Sequence, residues 1–261
     1  MNILTRCKIG RFIRDEFFEQ NLSLIHKVNF NGLEYVFTAP HRIPLINIRS
    51  YFGEYNVERK WIDSFDSDSI FWDFGGNIGL STVYAGKVKD SKVYVFEPWL
   101  LNLDCLCRNI ISNELEEKVI IVPTPTSIVA NDKKISDTFI KLTATEDIEE
   151  FSTQNFKKLS LAGFSYVNVQ MLSFKLDELI SKRSLIHPNY LNIDYQGLEY
   201  LLLNKKLDIF SQIRSLLIKS DLDIYSLNTS VHSQLLLFGL EMSETKLDEN
   251  KKRYEVWNRK E

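Results

Sequence analysis

Two acids, Asp73 and Glu97, each close a short apolar run, Ile70 to Trp72 and Val93 to Phe96, and a Gly75-Gly76-Asn77-Ile78-Gly79 turn follows the first. Between them Leu80, Val83, Tyr84 and Val88 recur at helical spacing. The order is strand, glycine turn, helix, strand, with a carboxylate at the mouth of each strand. Such a crossover is right-handed and packs its helix on a parallel sheet. It opens a crevice at the carboxyl ends of the strands. Gly75 and Gly76 can take positive φ and let a ligand approach bare backbone. Gly79, one turn on, lets the helix sit close to the strand. Glu97 comes about twenty residues after the glycines, the spacing of a carboxylate that accepts from both hydroxyls of a ribose.

The turn discriminates between two cofactors. A dinucleotide fingerprint ending at Gly79 needs glycine at position 74, where this chain has Phe74. An acid just ahead of the glycines repels a pyrophosphate, but it attracts the ammonium of a methionine-like tail beside a sulfonium. Asp73, Gly75 and Gly79, with Asn77 between, therefore point to S-adenosyl-L-methionine. An NAD-dependent oxidoreductase and a ligand-free turn are the alternatives.

DFGGNIG at 73–79 followed by FEPWLLN at 96–102 resembles the FkbM-type methyltransferases, whose pattern is close to D-I-G-A-N-I-G and then F-E-P-x-x-x-N. The resemblance continues through SFKLDELI at 173–180, HPNYLNIDYQGLEYLLL at 187–203 and SLLI at 215–218, so it covers most of residues 65–240. It implies a class I methyltransferase sheet and transfer of a methyl group to a hydroxyl of a glycan or small secondary metabolite. Asn77 and Asn102 fall where they would brace the turn and the pocket edge. Asp194 ends the strand that lies nearest the transferred methyl in that fold. It is the candidate for acceptor chemistry, and a helix N-cap beside Gly197 is its other reading.

The chain departs from the family at that place. The pattern K-I-D-V-D/E-G reads here Asn192-Ile193-Asp194-Tyr195-Gln196-Gly197, and the next strand, usually ending in Glu, carries Lys219. Gln196, Lys219 and the loop residue His187 are the candidates for acceptor binding. Losing acids removes ligands that a divalent metal needs, so no metal is expected. Either the acceptor differs, an anion meeting Lys219 for example, or the protein binds cofactor or a partner without turnover.

With 261 residues and 44% apolar composition, the chain can bury one large core. A net charge of −3 excludes a general affinity for nucleic acid or anionic membrane. Cys7, Cys105 and Cys107 are sparse and odd in number, as for reduced thiols. No apolar run reaches the ~20 residues of a membrane span, and the first residues lack a signal-peptide core, so a cytoplasmic protein is expected.

The expected fold is α/β: a Rossmann-like class I methyltransferase with a mostly parallel seven-stranded sheet and an antiparallel C-terminal hairpin. Residues 66–261 form this domain, and 1–65 form a helix and hairpin cap. Within the cap, residues 1–27 read as a surface helix, Asn31-Gly32 as a hairpin turn, and Val57 to Phe65 as a helix, while Pro40 and Pro44 break regularity. The polar stretch 144–159 reads as a loop over the site or a solvated insertion.

Overall fold

The computed structural model describes residues 25–40, 42–123, 126–127, 139–143, 168–172, 174–183, 185–194, 212–221, 228–247 and 252–260. In chain order the strands are β1 Ile25–Phe30, β2 Leu33–Thr38, β3 Ile70–Phe74, β4 Lys92–Phe96, β5 Val119–Val122, β6 Thr126–Ser127, β7 Phe139–Thr143, β8 Asn168–Leu172, β9 Phe174–Lys175, β10 Tyr190–Ile193, β11 Ser215–Asp221, β12 Leu240–Leu247 and β13 Lys252–Arg259. The helices are α1 Arg42–Tyr51, α2 Val57–Asp63, α3 Leu80–Val88, α4 Leu100–Ser112, α5 Leu176–Arg183 and α6 Asn228–Leu237.

Seven strands form one sheet in the order β12-β13-β11-β10-β3-β4-β5. β13 alone runs against its neighbours β11 and β12, and the other pairings are parallel. This is the expected Rossmann-like sheet with its reversed closing hairpin. From β3 the chain builds outward through β4 and β5, then returns to place β10 on the other side of β3. The order therefore reverses between β3 and β10, and ligands of open α/β sheets bind at such a point.

The strands are short apolar runs because both faces are covered. Alternation sorts their side chains: Phe71, Val93 and Val95 point into one core, and Trp72, Phe74, Tyr94 and Phe96 into the other. The first core lies under the N-terminal segment with α3 and α4; the second lies under α5 and α6. Asp73 falls on the first face, level with Asn192 of β10.

The N-terminal segment is fastened to that face. Asn109 of α4 accepts from Thr38 N at 2.6 Å and donates to the Ile78 carbonyl at 2.7 Å, tying the β1–β2 hairpin to the glycine turn. Trp61 Nε1 donates to Ser215 Oγ at 2.7 Å, and the Phe65 ring stacks on Tyr190 at 3.8 Å.

Two expectations are corrected here. Of the helix expected over 1–27, the described residues Ile25–Lys27 belong to β1 and pair with Val36–Thr38. Their exposure alternates with period two, which a hairpin face imposes. Pro44 does not end regular structure: it sits in the first turn of α1, where a missing N–H costs nothing. The stretch 144–159, the helix after Gly197 and Cys7 lie outside the described residues.

Candidate functional site

The glycine turn joins β3 to β4 through their backbones. Gly75 N and Gly76 N both donate to the Phe96 carbonyl, at 3.0 and 3.4 Å, and Gly79 N donates to the Gly76 carbonyl at 2.7 Å. Gly75 and Gly79 have φ of 92° and 88°, and Asn77 has 49°, a conformation asparagine tolerates. Gly76 is required for a different reason: a Cβ there would lie 2.0 Å from Val95 Cγ2. Gly76→Ala is expected to cost about 1–3 kcal/mol through overpacking, lowering the thermal midpoint by several degrees in a chain of this size. An unchanged midpoint would mean that Val95 does not seal the turn.

Glu97 is pinned by the turn it faces. Its Oε2 accepts from Asn77 N and its Oε1 from Trp99 N, both at 2.8 Å, and the Asn102 side chain bonds the same carboxylate. Burial nevertheless pushes the Glu97 carboxyl up to about 7, against the pull of these donors. Asp73 is 1% exposed, with Oδ2 accepting from Thr82 Oγ1 at 2.7 Å and Oδ1 from Asn192 Nδ2 at 2.9 Å. Burial raises its pKa as well, with the Asn192 and Thr82 bonds opposing. Thr82 was not singled out in the sequence, and Asn192 only as a departure from the family pattern, not as a partner of Asp73. Both reach Asp73 only because α3 and β10 flank β3.

Beyond β10, Asp194 N donates to the Phe74 carbonyl at 2.9 Å, and a Cβ on Gly75 would meet the Asp194 carbonyl at 2.9 Å. Asp194 Oδ2 accepts from Lys219 Nζ of β11 at 2.7 Å. Burial works against the Lys219 ammonium, yet Asp194, Tyr254 and Glu58 hold its pKa well above the ordinary lysine value. The structure thus gathers Asp73, Gly75, Gly76, Asn77, Gly79, Glu97, Asn102, Asp194 and Lys219 at the carboxyl ends of β3, β4, β10 and β11. His187 is not among them. It precedes β10, at the end of the sheet where Asn189 bonds Ile70. Gln196 lies outside the described residues.

Glu58 of α2 joins this group although no sequence signal marked it. Its Oε1 lies 2.5 Å from Ser81 Oγ and 3.3 Å from Asn192 Nδ2. Four carboxylates, Asp73, Glu97, Glu58 and Asp194, therefore gather at the crevice of the sheet reversal, and among the described residues Lys219 is the cation set against Asp73, Glu58 and Asp194. Asn192 Oδ1 is buried with no hydrogen-bond partner, an acceptor in want of a donor. Such a crevice suits a cationic ligand rich in N–H and O–H donors. Among the described residues no three His, Cys, Asp or Glu side chains gather as a metal site, and no helix is long and apolar enough to cross a membrane.

No protein-family model matches the chain, and no curated protein matches it. Among solved structures it is similar to precorrin-6y C5,15-methyltransferase from Geobacter metallireducens GS-15, at 11% identity and a TM-score of 0.44 over 78% of this chain and 86% of that one. It is similar to M. capricolum TrmK in complex with S-adenosyl-homocysteine, at 10% identity and a TM-score of 0.46 over 80% and 70% of the two chains. A third, M. jannaschii TYW2 in complex with AdoMet, shares 12% identity and a TM-score of 0.40 over 91% and 88%. Each likeness is one of chain trace.

Proposed function

We propose that this protein is an S-adenosylmethionine-dependent methyltransferase of FkbM type, acting on a hydroxyl of a glycan or small secondary metabolite. The observation that carries the reading is the pair of strand-end carboxylates, Asp73 and Glu97, set on either side of one glycine turn at the sheet's reversal point. The residues present fit the cofactor. Each oxygen of Glu97 has given one of its two acceptor positions to a main-chain amide and keeps one for a ribose hydroxyl, with Asn102 as the group displaced. Asp73 likewise keeps one acceptor position on each oxygen. With the orphan Asn192 Oδ1, it offers the acceptors an ammonium needs.

When bound, S-adenosylmethionine supplies an electrophilic methyl group. The chain's own contribution is to bind and orient, which can supply roughly 7–11 kcal/mol in well-aligned cases. Asp73 and Glu97 would hold the two ends of the nucleoside amino acid, and the Asn77 amide holds Glu97 in place. Lys219 holds Asp194 at the acceptor side. An acceptor hydroxyl also needs a group to take its proton.

Calorimetric titration with S-adenosylhomocysteine and with NAD tests the reading. Binding of the first and not the second is expected. Asp73→Asn is expected to weaken S-adenosylhomocysteine binding about tenfold to hundredfold, the loss of one charge-assisted bond. No binding of S-adenosylhomocysteine, or tight binding of NAD, would overturn it.

One observation favours a second reading, a relative that binds cofactor without turnover. Asp194, the acceptor-side acid, is already engaged by Lys219. Under this reading the cofactor binds normally, but no hydroxylated acceptor gains a methyl group.

A further inference from the structure

Helix α2 brings to the crevice an acid that neither strand end accounts for. Asn56 caps the helix, accepting from Arg59 N at 2.7 Å, so Glu58 sits in its first turn. Trp61 and Phe65, anchored on Ser215 and Tyr190, hold α2 over the face that carries Asp73, Asn192 and Lys219. Glu58 Oε1 meets Ser81 and Asn192, and Oε2 takes no hydrogen bond among the described residues. Asp73 of β3, Asp194 beyond β10, Lys219 of β11 and Tyr51 of α1 surround it, with Tyr254 of β13 beside Lys219. On its own helix Arg59 turns to the carbonyls of Tyr51 and Gly53, and Lys60 lies over the Tyr55 ring. Among the described residues, three carboxylates, Glu58, Asp73 and Asp194, thus share one ammonium. The cluster is balanced only by a further cation or by a proton.

We infer that Glu58 is the proton-taking carboxylate of the crevice, ionised while a sulfonium faces it and protonated once that charge has gone. The inference rests on the cofactor reading above. When a hydroxyl is methylated, its oxygen forms the new bond to carbon as the carbon–sulfur bond breaks with its electron pair going to sulfur. The O–H proton passes to Glu58. One positive charge disappears at sulfur as one proton arrives on the carboxylate, so the crevice keeps its total charge in a setting where uncompensated charge is costly. Burial already pushes the Glu58 carboxyl up to about 7; Lys219 opposes this, and Asp194 and Asp73 add to it. A small change in the facing charge therefore moves its proton at neutral pH.

Binding alone tests this, without an acceptor, because S-adenosylmethionine and S-adenosylhomocysteine differ by one methyl group and its charge. Calorimetry at pH 7 in phosphate and in imidazole counts the protons exchanged. The sulfonium ligand is expected to release about half a proton more than the thioether. Its affinity relative to the thioether is expected to rise on the order of tenfold from pH 6 to pH 8. Both differences should vanish in Glu58→Gln. The ligands' amino group titrates in wild type and variant alike, so it cancels in that comparison. Should Glu58→Gln fail to fold, Ser81→Ala removes a bond that favours the ionised carboxylate and should shift the pH midpoint of the affinity ratio upward. Equal proton counts for the two ligands, a difference that persists in Glu58→Gln, or an unmoved midpoint in Ser81→Ala overturns the inference. Failure of both ligands to bind would instead be failure of the cofactor reading.

Discussion

Alanine in place of Glu97 is expected to leave S-adenosylhomocysteine binding below detection and to lower the unfolding free energy by about 2–4 kcal/mol. Both effects come from one carboxylate. It accepts from Asn77 N and Trp99 N, and truncation leaves those amides unpaired beside the turn, at about 1–3 kcal/mol each. The loss is partly offset because burial already disfavours the charge. The turn that Asn77 anchors is also the surface a nucleoside would meet, so binding falls further than stability. Glu97→Gln keeps the shape and one acceptor oxygen, and is expected to lie between wild type and alanine in both respects. Urea unfolding and calorimetric titration read the two effects separately. A stable Glu97→Ala variant with wild-type affinity would show that this acid neither holds the turn nor touches the ligand.

A second expected result is a stability that rises on acidification. Burial holds both Glu97 and Glu58 at about 7, against an ordinary glutamate value near 4.5. Between about 4.5 and about 7 the folded protein keeps protons that the unfolded chain has released. Stability is therefore gained as pH falls through that window, and lost as pH rises through 7. Glu97 alone is expected to contribute about 3 kcal/mol, and Asp73, also raised by burial, acts in the same direction. The exposed Asp90, held low by its hydrogen bond to Lys118, acts oppositely but is screened by solvent. Denaturant unfolding at pH 5, 6, 7 and 8 measures the slope, and Glu97→Gln should flatten it. A stability that is level or climbing from pH 5 to 7.5 would mean that these carboxylates stay ionised throughout.

Much of this molecule is legible in the order of its residues. Short apolar runs place β3 and β4 and a period-3.6 apolar pattern places α3, because each reports a local geometry: strands covered on both faces, and a helix that buries one stripe. Asn31-Gly32 marks its hairpin because that turn needs positive φ at both positions, and they have 49° and 81°. Asp73 and Glu97 announce themselves because a strand end and a glycine turn are local features.

What the chain alone could not show is which distant groups the sheet reversal brings together. β10 returns to the far side of β3, so Asn192 comes to bond Asp73 across 119 positions of sequence, and Lys219 neutralises Asp194. Glu58 sits in a helix whose signals are those of any amphipathic cap. Only packing of that helix on Ser215 and Tyr190 places its carboxyl within reach of Ser81 and Asn192. His187 shows the converse: three residues from β10 in sequence, it lies at the opposite end of the strand from Asp194, because a strand carries its two flanks apart. Local patterns decide which elements form. The electrostatics of the crevice arise from contacts between elements, and those exist only once the sheet has closed.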